Sequence, residues 1–449
     1  MKIMPYEIFL IMAIIVMFLV FFFILNKLEK AKKFDSELNR KILHIGTGIC
    51  GVSLPFLFKT KISVIILVLC FFAIIAIVRN LKNTGAKDVL ETKSRKTWGD
   101  VYFVSTLAFL WIFSSDDKIM YCLPIVILMF SDAFAALIGK FYGKYKYDTG
   151  FGTKSLEGSI IFFLSTYILC SNFFLLFSDI KNMNIVLISL LISTLTMIIE
   201  AISWNGLDNF FIPLYVYLFL RLNLQKDTVD LVNRLILILG LLTIVYLNRK
   251  KTTLTNVAQV GSLFFMYVVT VLGGFSFLLP PLMLYVSYYH YTPKVKRQEK
   301  DSLKGLLTIG FLAFFWIIVG ILLERKSILN IYIYIFSLYF GIINIIRYNA
   351  SHLTELTGNK LNKKLIFISI IKALLFFIIN YAILLKSIDL KIILENIVFL
   401  IAGILLYTIF IDKIPENFFK NSHGGEKKVF FTTIIVFICS LLLLIIEYI

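Results

Sequence analysis

The fold of this chain is constrained most by a series of long apolar runs that follow one another from the amino terminus to the carboxyl terminus. Most runs hold roughly 18 to 22 residues, the length of helix that crosses the hydrocarbon core of a bilayer. Hydrophobic residues occupy 59% of the 449 positions and charged residues only 16%, whereas soluble domains carry about 25% charged residues. Because a helix pairs its own backbone groups inside lipid, the sequence predicts an all-α polytopic integral membrane protein.

The apolar runs predict about sixteen transmembrane helices in two bundles. The predicted spans are residues 5–26, 42–58, 62–79, 98–113, 118–138, 157–178, 184–203, 208–222, 232–247, 253–272, 274–292, 303–323, 328–346, 365–385, 391–410 and 429–448. The basic loop at residues 248–251 is the predicted boundary between a first domain, residues 1–250, and a second domain, residues 251–449.

The distribution of positive charge predicts which loops face the cytoplasm. A net charge of +18 could indicate a nucleic-acid partner, but membrane topology explains it better. Most of the 45 Lys and Arg residues fall in alternate loops, and such residues collect on the cytoplasmic side of membrane proteins. The sequence therefore predicts no nucleic-acid partner, a location in the cell membrane, and both termini outside the cytoplasm.

Residues 131–159, SDAFAALIGKFYGKYKYDTGFGTKSLEGS, hold the strongest local signal. Asp132 lies within a predicted span, where an acid is costly unless it pairs with a cation or faces a wet cavity. Glycines that let backbone amides approach an anion alternate with lysines that neutralise phosphate, and a helix amino terminus follows. The candidate phosphate-binding residues in this block are Lys140, Gly143, Lys144, Lys154, Ser155, Glu157 and Gly158. With Asp132 as a ligand for Mg²⁺, the block predicts a site for a nucleotide triphosphate.

A plainer interpretation of the same residues is that lysines collect in any cytoplasmic loop and that glycines ease tight connections. Each lysine taken alone fits either interpretation. The two acids that flank the block, Asp132 and Glu157, favour the functional interpretation for the block as a whole.

Further polar candidates belong to predicted spans that end on the same side of the membrane. Glu200 lies inside an apolar run, and Asp208 and Asn209, which are ligand types suited to Mg²⁺, begin the next span. An alternative role for Glu200 is to pair with a lysine and join two helices.

Arg40, Lys41 and His44 open the second span; His44 could position a phosphate or be an ordinary interfacial histidine. Arg40 and Lys41 add two phosphate-binding cations to the predicted site, and His44 adds a histidine.

Four segments in this order resemble the CTP-dependent lipid-alcohol kinases, the group of dolichol kinase, phytol kinase and CTP-dependent diacylglycerol kinase, which is related to phosphatidate cytidylyltransferase. The segments are RKILH at 40–44, RKTWGDVYF at 95–103, DAFAALIGKFYGK…KSLEGS at 132–159, and E…DNFFIP at 200–213. The resemblance covers about residues 30–250. It implies that the γ-phosphate of CTP is transferred, with Mg²⁺, to the hydroxyl of a polyprenol, phytol-like or diacylglycerol acceptor at the cytoplasmic face.

Carried over to this chain, the resemblance implies roles for the candidate residues. Asp132 and Asp208 would be catalytic or metal-binding acids, the lysines would hold phosphates, and His44 and Glu200 would support the site. Two alternatives stay open: phosphatidate cytidylyltransferase, which also uses CTP, Mg²⁺ and a membrane lipid, and a lipid transporter whose buried acids line a path. The short, proline-free form of the loop favours the kinase.

The second half gives a weaker indication. Residues 254–291 faintly resemble the phytyl-phosphate kinase family, although the acidic and glycine-rich motifs expected there are missing or blurred. The segments SHLTE at 351–355 and SHGGE at 422–426 are only traces of such motifs. We therefore expect a second helical membrane domain of unknown role, and the sequence leaves the oligomeric state open.

Overall fold

The computed structural model describes residues 4–31, 36–80, 97–114, 116–149, 152–249, 252, 254–290, 303–323, 328–352, 363–385, 389–413 and 424–448. Six residues of the sequence motifs, Arg95, Lys96, Gly150, Phe151, Ser422 and His423, lie outside the described residues, as do residues 353–355. The chain divides into two compact units, Met1–Ile236 and Leu237–Ile449.

The first unit consists of helices and one short hairpin. Its elements are α1 (Pro5–Lys30), α2 (Ser36–Leu57), α3 (Lys61–Asn80), α4 (Gly99–Ser114), α5 (Lys118–Phe141), β1 (Lys146–Asp148), β2 (Thr153–Ser155), α6 (Leu156–Phe177), α7 (Asn182–Ile202) and α8 (Asp208–Asn223). Helix α9 (Thr228–Asn248) contains the division between the units.

The second unit is also helical in its described part. Its elements are α10 (Asn256–Gly273), a 3-10 turn (Phe275–Phe277), α11 (Leu279–His290), α12 (Leu303–Leu323), α13 (Ile328–His352), α14 (Lys363–Leu384), α15 (Leu390–Lys413) and α16 (Gly424–Tyr448). Helix α13 lies at its centre, with 94% of the Ile328–Ile346 segment buried. Helices α12, α14, α15 and α16 pack around it, and buried aromatic side chains such as Trp316 and Tyr339 fill the space between them.

Ten helices of the described residues are long and apolar enough to cross a membrane, by length and composition. They are α1, α3, α5, α6, α7, α9, α10, α13, α14 and α15. Large apolar side chains on their outer faces are exposed, for example Phe9 and Phe23 on α1 and Leu176 on α6, which suits a surface that contacts lipid. The prediction of an all-α integral membrane protein is confirmed.

Each of the sixteen predicted spans overlaps a helix of the described structure, either one of these ten or another. Helix α2 is not among the ten, because it carries the charged residues Glu37, Arg40 and Lys41 in its first turns. The loop predicted at residues 139–156 contains regular structure of its own: β1 and β2 pair antiparallel with Tyr147 opposite Lys154. One small hairpin is therefore added to the all-α architecture.

Helices α5 and α7 form the centre of the first unit. Most of each helix is buried, and α5 packs against α2, α6 and α8. Asp117 caps the amino terminus of α5 by accepting hydrogen bonds from the backbone N–H groups of Ile119 and Met120 at 2.9 and 3.1 Å. This packing holds the opposite end of α5, which carries Asp132 and Lys140, beside the starts of α2, α6 and α8.

Candidate functional site

A polar cavity of about 470 Å³ lies where these helix ends meet in the first unit. Ten of the predicted site residues line it: Arg40, Lys41, Asp132, Lys140, Lys154, Ser155, Gly158, Glu200, Asp208 and Asn209. They come from α2, α5, β2, α6, α7 and α8, so segments far apart in sequence contribute to one cavity. The first, third and fourth motifs of the kinase resemblance are thereby brought together, and Thr97 of the second lines the same cavity.

Lys41 and Asp132 form a buried ion pair between α2 and α5. The ammonium Nζ of Lys41 donates to Oδ2 of Asp132 at 2.5 Å, and the Lys41 side chain is only 2% exposed. His44 lies one turn further along α2, with its Nε2 at 3.7 Å from the same carboxylate oxygen and its ring edge against Phe103. A buried carboxylate is stable only with such a partner, so this pair joins the two helices at the cavity wall.

Lys154 and Glu200 form a second ion pair across the cavity. Nζ of Lys154 lies 2.8 Å from Oε1 of Glu200 and also donates to its backbone carbonyl. Burial alone would lower the pKa of Lys154, but the negative charges of Glu200 and Asp208 outweigh it and raise that pKa. Lys154 is therefore a permanent cation at the cavity. The pairing of Glu200 with a lysine is the structural role that the sequence left open.

The start of α6 lies unusually close to the end of α5. Ser155 caps α6, and its Oγ accepts a hydrogen bond from the N–H of Gly158 at 3.1 Å. A Cβ on Gly158 would lie 2.9 Å from the carbonyl oxygen of Ala135, and one on Gly143 would lie 2.7 Å from the Cβ of Ser155. The glycines predicted to approach phosphate thus also allow this close helix contact.

The turn between α7 and α8 brings Asp208 to the cavity. Asn205 and Gly206 have positive φ values of 52° and 84°, a left-handed conformation that favours glycine. A Cβ on Gly206 would lie 2.6 Å from the Cα of Gly99, so α4 and this turn are in direct contact. Asn209 secures the same contact, since its Nδ2 donates to the carbonyl of Gly99 at 2.8 Å.

Asp208 differs from the other acids of the cavity. Glu37 pairs with Arg40 at 2.6 Å, and Asp132 and Glu200 pair with lysines, but among the described residues Asp208 makes no ion pair. Its carboxylate accepts only the N–H of Asn209, at 3.2 Å. A carboxylate with open coordination beside cationic side chains is suited to a metal ion that also contacts phosphate.

The residues fit a magnesium ion that is held partly by substrate. No group of three His, Cys, Asp or Glu side chains that could enclose a metal occurs among the described residues. Mg²⁺ in nucleotide sites is commonly held by one or two carboxylates together with phosphate oxygens and water. Asp208, with the amide oxygen of Asn209 beside it, supplies ligands of this kind, whereas the carboxylate of Asp132 is bonded to Lys41.

Four predicted site residues do not line the polar cavity: His44, Gly143, Lys144 and Glu157. The side chain of Lys144 is exposed. The carboxylate of Glu157 accepts hydrogen bonds from the backbone N–H groups of Lys144 and Tyr145, at 3.0 and 3.2 Å. Glu157 therefore stabilises the chain between α5 and β1 and is not directed at a ligand.

The structure adds polar residues that the sequence prediction omitted from the site. Glu37, Thr97 and Lys146 also line the cavity. Glu37 lies one turn before Arg40 on α2, so helical spacing could have identified it. Lys146 belongs to the predicted lysine-rich block. No residue pattern distinguishes it from Lys144, because only the hairpin pairing determines which lysine lines the cavity.

We expect Glu157→Gln to retain most of the activity of the protein, whatever the reaction, because its acceptor oxygen can still bind the N–H of Lys144. Stability should fall only slightly, because the neutral amide oxygen is a weaker acceptor than the carboxylate. Turnover and detergent unfolding of the two proteins measured side by side test this. Loss of turnover with an intact fold would return Glu157 to the phosphate-binding residues.

Comparisons with protein-family models, with curated proteins and with solved structures find no significant match to this chain. The kinase resemblance therefore depends on the four sequence motifs, and the assignment of function depends on the geometry of the cavity.

Proposed function

We propose that the first unit is a CTP-dependent kinase that transfers the γ-phosphate of CTP to the hydroxyl of a membrane lipid alcohol. The main support for this proposal is that residues from all four motifs line one cavity of about 470 Å³. The cavity combines cations for phosphate, Arg40, Lys41 and Lys154, with Asp208, an acid that makes no ion pair among the described residues. Phosphoryl transfer requires mainly positioning, positive charge and a metal.

In this proposal Asp208 and Asn209 hold Mg²⁺ against the phosphates. When bound there, Mg²⁺ would supply positive charge beside the phosphates. Lys154 and Arg40 contribute further positive charge. Glu200 orients Lys154 through the two hydrogen bonds that it accepts. Lys140 and Lys146, at the cavity edge, are placed to meet the nucleotide as it enters.

The acceptor hydroxyl attacks the γ-phosphorus, the bond between that phosphorus and its bridging oxygen breaks, and CDP leaves with the bridging electron pair. Asp132 takes the hydroxyl proton. Once Asp132 is neutral, Lys41 has no carboxylate partner and pairs with the negative charge of the transferred phosphate. In this proposal, the change of partner gives each of the two buried charges at the cavity wall, Lys41 and Asp132, a role in the reaction.

The proposal includes the position of the site in the membrane. The cavity residues belong to helix ends whose adjoining loops are rich in Lys and Arg, which favours a cytoplasmic site with both termini outside. The sixteen helices would each cross the membrane, as two bundles. The second unit, Leu237–Ile449, is a helical membrane domain to which we assign no reaction.

Identification of the nucleotide product tests the proposed reaction. Purified protein in lipid micelles with Mg²⁺ and CTP is offered a long-chain prenol, phytol, diacylglycerol or phosphatidate, and the products are separated by anion-exchange chromatography. We expect acceptor-dependent formation of CDP. Pyrophosphate formed with phosphatidate would mean cytidylyl transfer instead, and CTP left intact with every lipid would contradict both reactions and favour a transporter.

A further inference from the structure

A second, mostly apolar cavity of about 460 Å³ lies between α1, α2, α3 and α4 of the first unit. Its wall includes Phe18 of α1, Leu43 and Leu54 of α2, Phe71 of α3 and Leu107 of α4. Its volume is in the range of pockets that hold one small organic ligand, and its lining is suited to hydrocarbon.

The apolar cavity adjoins the polar cavity. Arg40, Thr97 and Asn209 line both of them. A molecule with a polar end and a hydrocarbon chain could therefore occupy both cavities at once, with its polar end among these three residues. No charged residue other than Arg40 is common to the two walls, so the boundary between a polar and an apolar environment lies here.

The apolar cavity also reaches the outer surface of the unit. Met17 on α1 and Ile49 on α2 line it while remaining 58% and 55% exposed. Apart from Lys27 near the end of α1, the other exposed side chains that the structure describes on these two helices are apolar or aromatic, the kind of surface that contacts lipid. The wall formed by α1 and α2 therefore borders the surface that faces lipid.

Small side chains on α2 keep the cavity open. Gly46, Thr47, Cys50 and Ser53 follow one another at helical spacing along its wall. Larger side chains at Thr47, Cys50 or Ser53 would occupy part of the cavity, and a Cβ on Gly46 would lie 2.5 Å from the ring of Phe21. A volume of about 460 Å³ suits one hydrocarbon chain better than two.

We propose that this cavity holds the chain of a single-chain alcohol, of the prenol type, with its hydroxyl at Arg40 and Asn209. The assignment rests on the proposed kinase function, because it makes the alcohol the acceptor of phosphate. It narrows the acceptor class: diacylglycerol would need to place two chains in the same space.

Photolabelling tests this assignment without relying on turnover. A long-chain alcohol with a diazirine near the end of its chain is bound to the protein in micelles, irradiated, and located by peptide mass spectrometry. We expect label on α2, α3 and α4 residues of the cavity wall. Val68→Trp, at a 5% exposed wall position, should reduce that label about tenfold because the indole fills the space.

Leu69→Trp is the matched control. Leu69 is the next residue on α3, is 60% exposed, and does not line the cavity, so its variant should label like the unaltered protein. Cys50→Phe fills the same cavity from α2 and provides a second test if Val68→Trp does not fold, as judged by size-exclusion chromatography.

Two outcomes would overturn the assignment: labelling that neither cavity-filling variant reduces, or a diacylglycerol probe that labels the cavity as well as the single-chain probe. Failure of the kinase proposal gives a different result. If labelling follows the expected pattern but no lipid becomes phosphorylated, the cavity assignment stands and the proposed reaction is wrong.

Discussion

Asp208→Asn should abolish transfer of phosphate to lipid while leaving the protein folded. We expect turnover to fall by at least about 10³-fold, the effect of removing one group that stabilises charge at a phosphoryl-transfer site. The free energy of unfolding should change by less than about 0.5 kcal/mol, because Asp208 makes no ion pair among the described residues and asparagine can still accept the N–H of Asn209. Turnover and denaturant unfolding of the purified variant measure the two effects.

Two further variants sharpen this test. Asp230→Asn is a matched control, since Asp230 pairs with Lys226 in an exposed contact away from the cavity, and it should retain full turnover. Asp208→Cys should be inactive with Mg²⁺ but regain part of its activity with Cd²⁺, because thiolate prefers softer ions. Retained activity in Asp208→Asn would remove Asp208 from the metal site.

Asp132→Asn and Lys41→Met should each destabilise the first unit by about 3–5 kcal/mol, because each leaves one buried charge without its partner. The double variant Lys41→Met/Asp132→Leu should recover most of that loss, since it removes both charges together. Both single variants and the double variant should lack activity. Unfolding in mixed micelles with increasing dodecyl sulfate gives the free energies.

This second prediction is tested by comparing the loss of unfolding free energy in the double variant with the sum of the losses in the two single variants. Strictly additive losses would mean that the 2.5 Å contact between Lys41 and Asp132 contributes nothing to folding. The exposed pair of Lys61 and Asp116, 45% and 85% exposed, provides a control, since its removal should cost no more than about 1 kcal/mol.

The membrane fold could be predicted from the sequence because length and apolar composition determine which segments form helices in lipid. The run that became α5, for instance, was predicted at residues 118–138 and extends over Lys118–Phe141. The hairpin of β1 and β2 was not predicted. Its strands have three residues each, too few for an alternating pattern to stand out from a polar loop.

Most residues that line the polar cavity could also be identified from the sequence. An acidic or basic side chain near the end of an apolar run is unfavourable in the membrane unless it is paired or functional. The pairing of these residues could not be identified in this way. Lys41 and Asp132 are 91 positions apart, and only the packing of α2 against α5 makes them partners. For the same reason the sequence could not separate Asp208, which makes no ion pair in the described structure, from Glu200, which binds Lys154.

The apolar cavity was beyond sequence analysis altogether. Its wall comes from four helices, α1 to α4. In the sequence, these wall residues cannot be distinguished from apolar residues that face lipid. Only their arrangement in space distinguishes Val68, which lines the cavity, from Leu69, which is 60% exposed beside it.

The central claim is that the γ-phosphate of CTP is transferred to lipid at the polar cavity. The most direct test incubates the protein with Mg²⁺, a long-chain prenol, and CTP radiolabelled separately at the γ- and α-phosphates, followed by extraction of the lipid. We predict that γ label enters the lipid, that α label does not, and that Asp208→Asn blocks the transfer. Label from the α-phosphate in lipid, or γ label that Asp208→Asn leaves unchanged, would contradict the account.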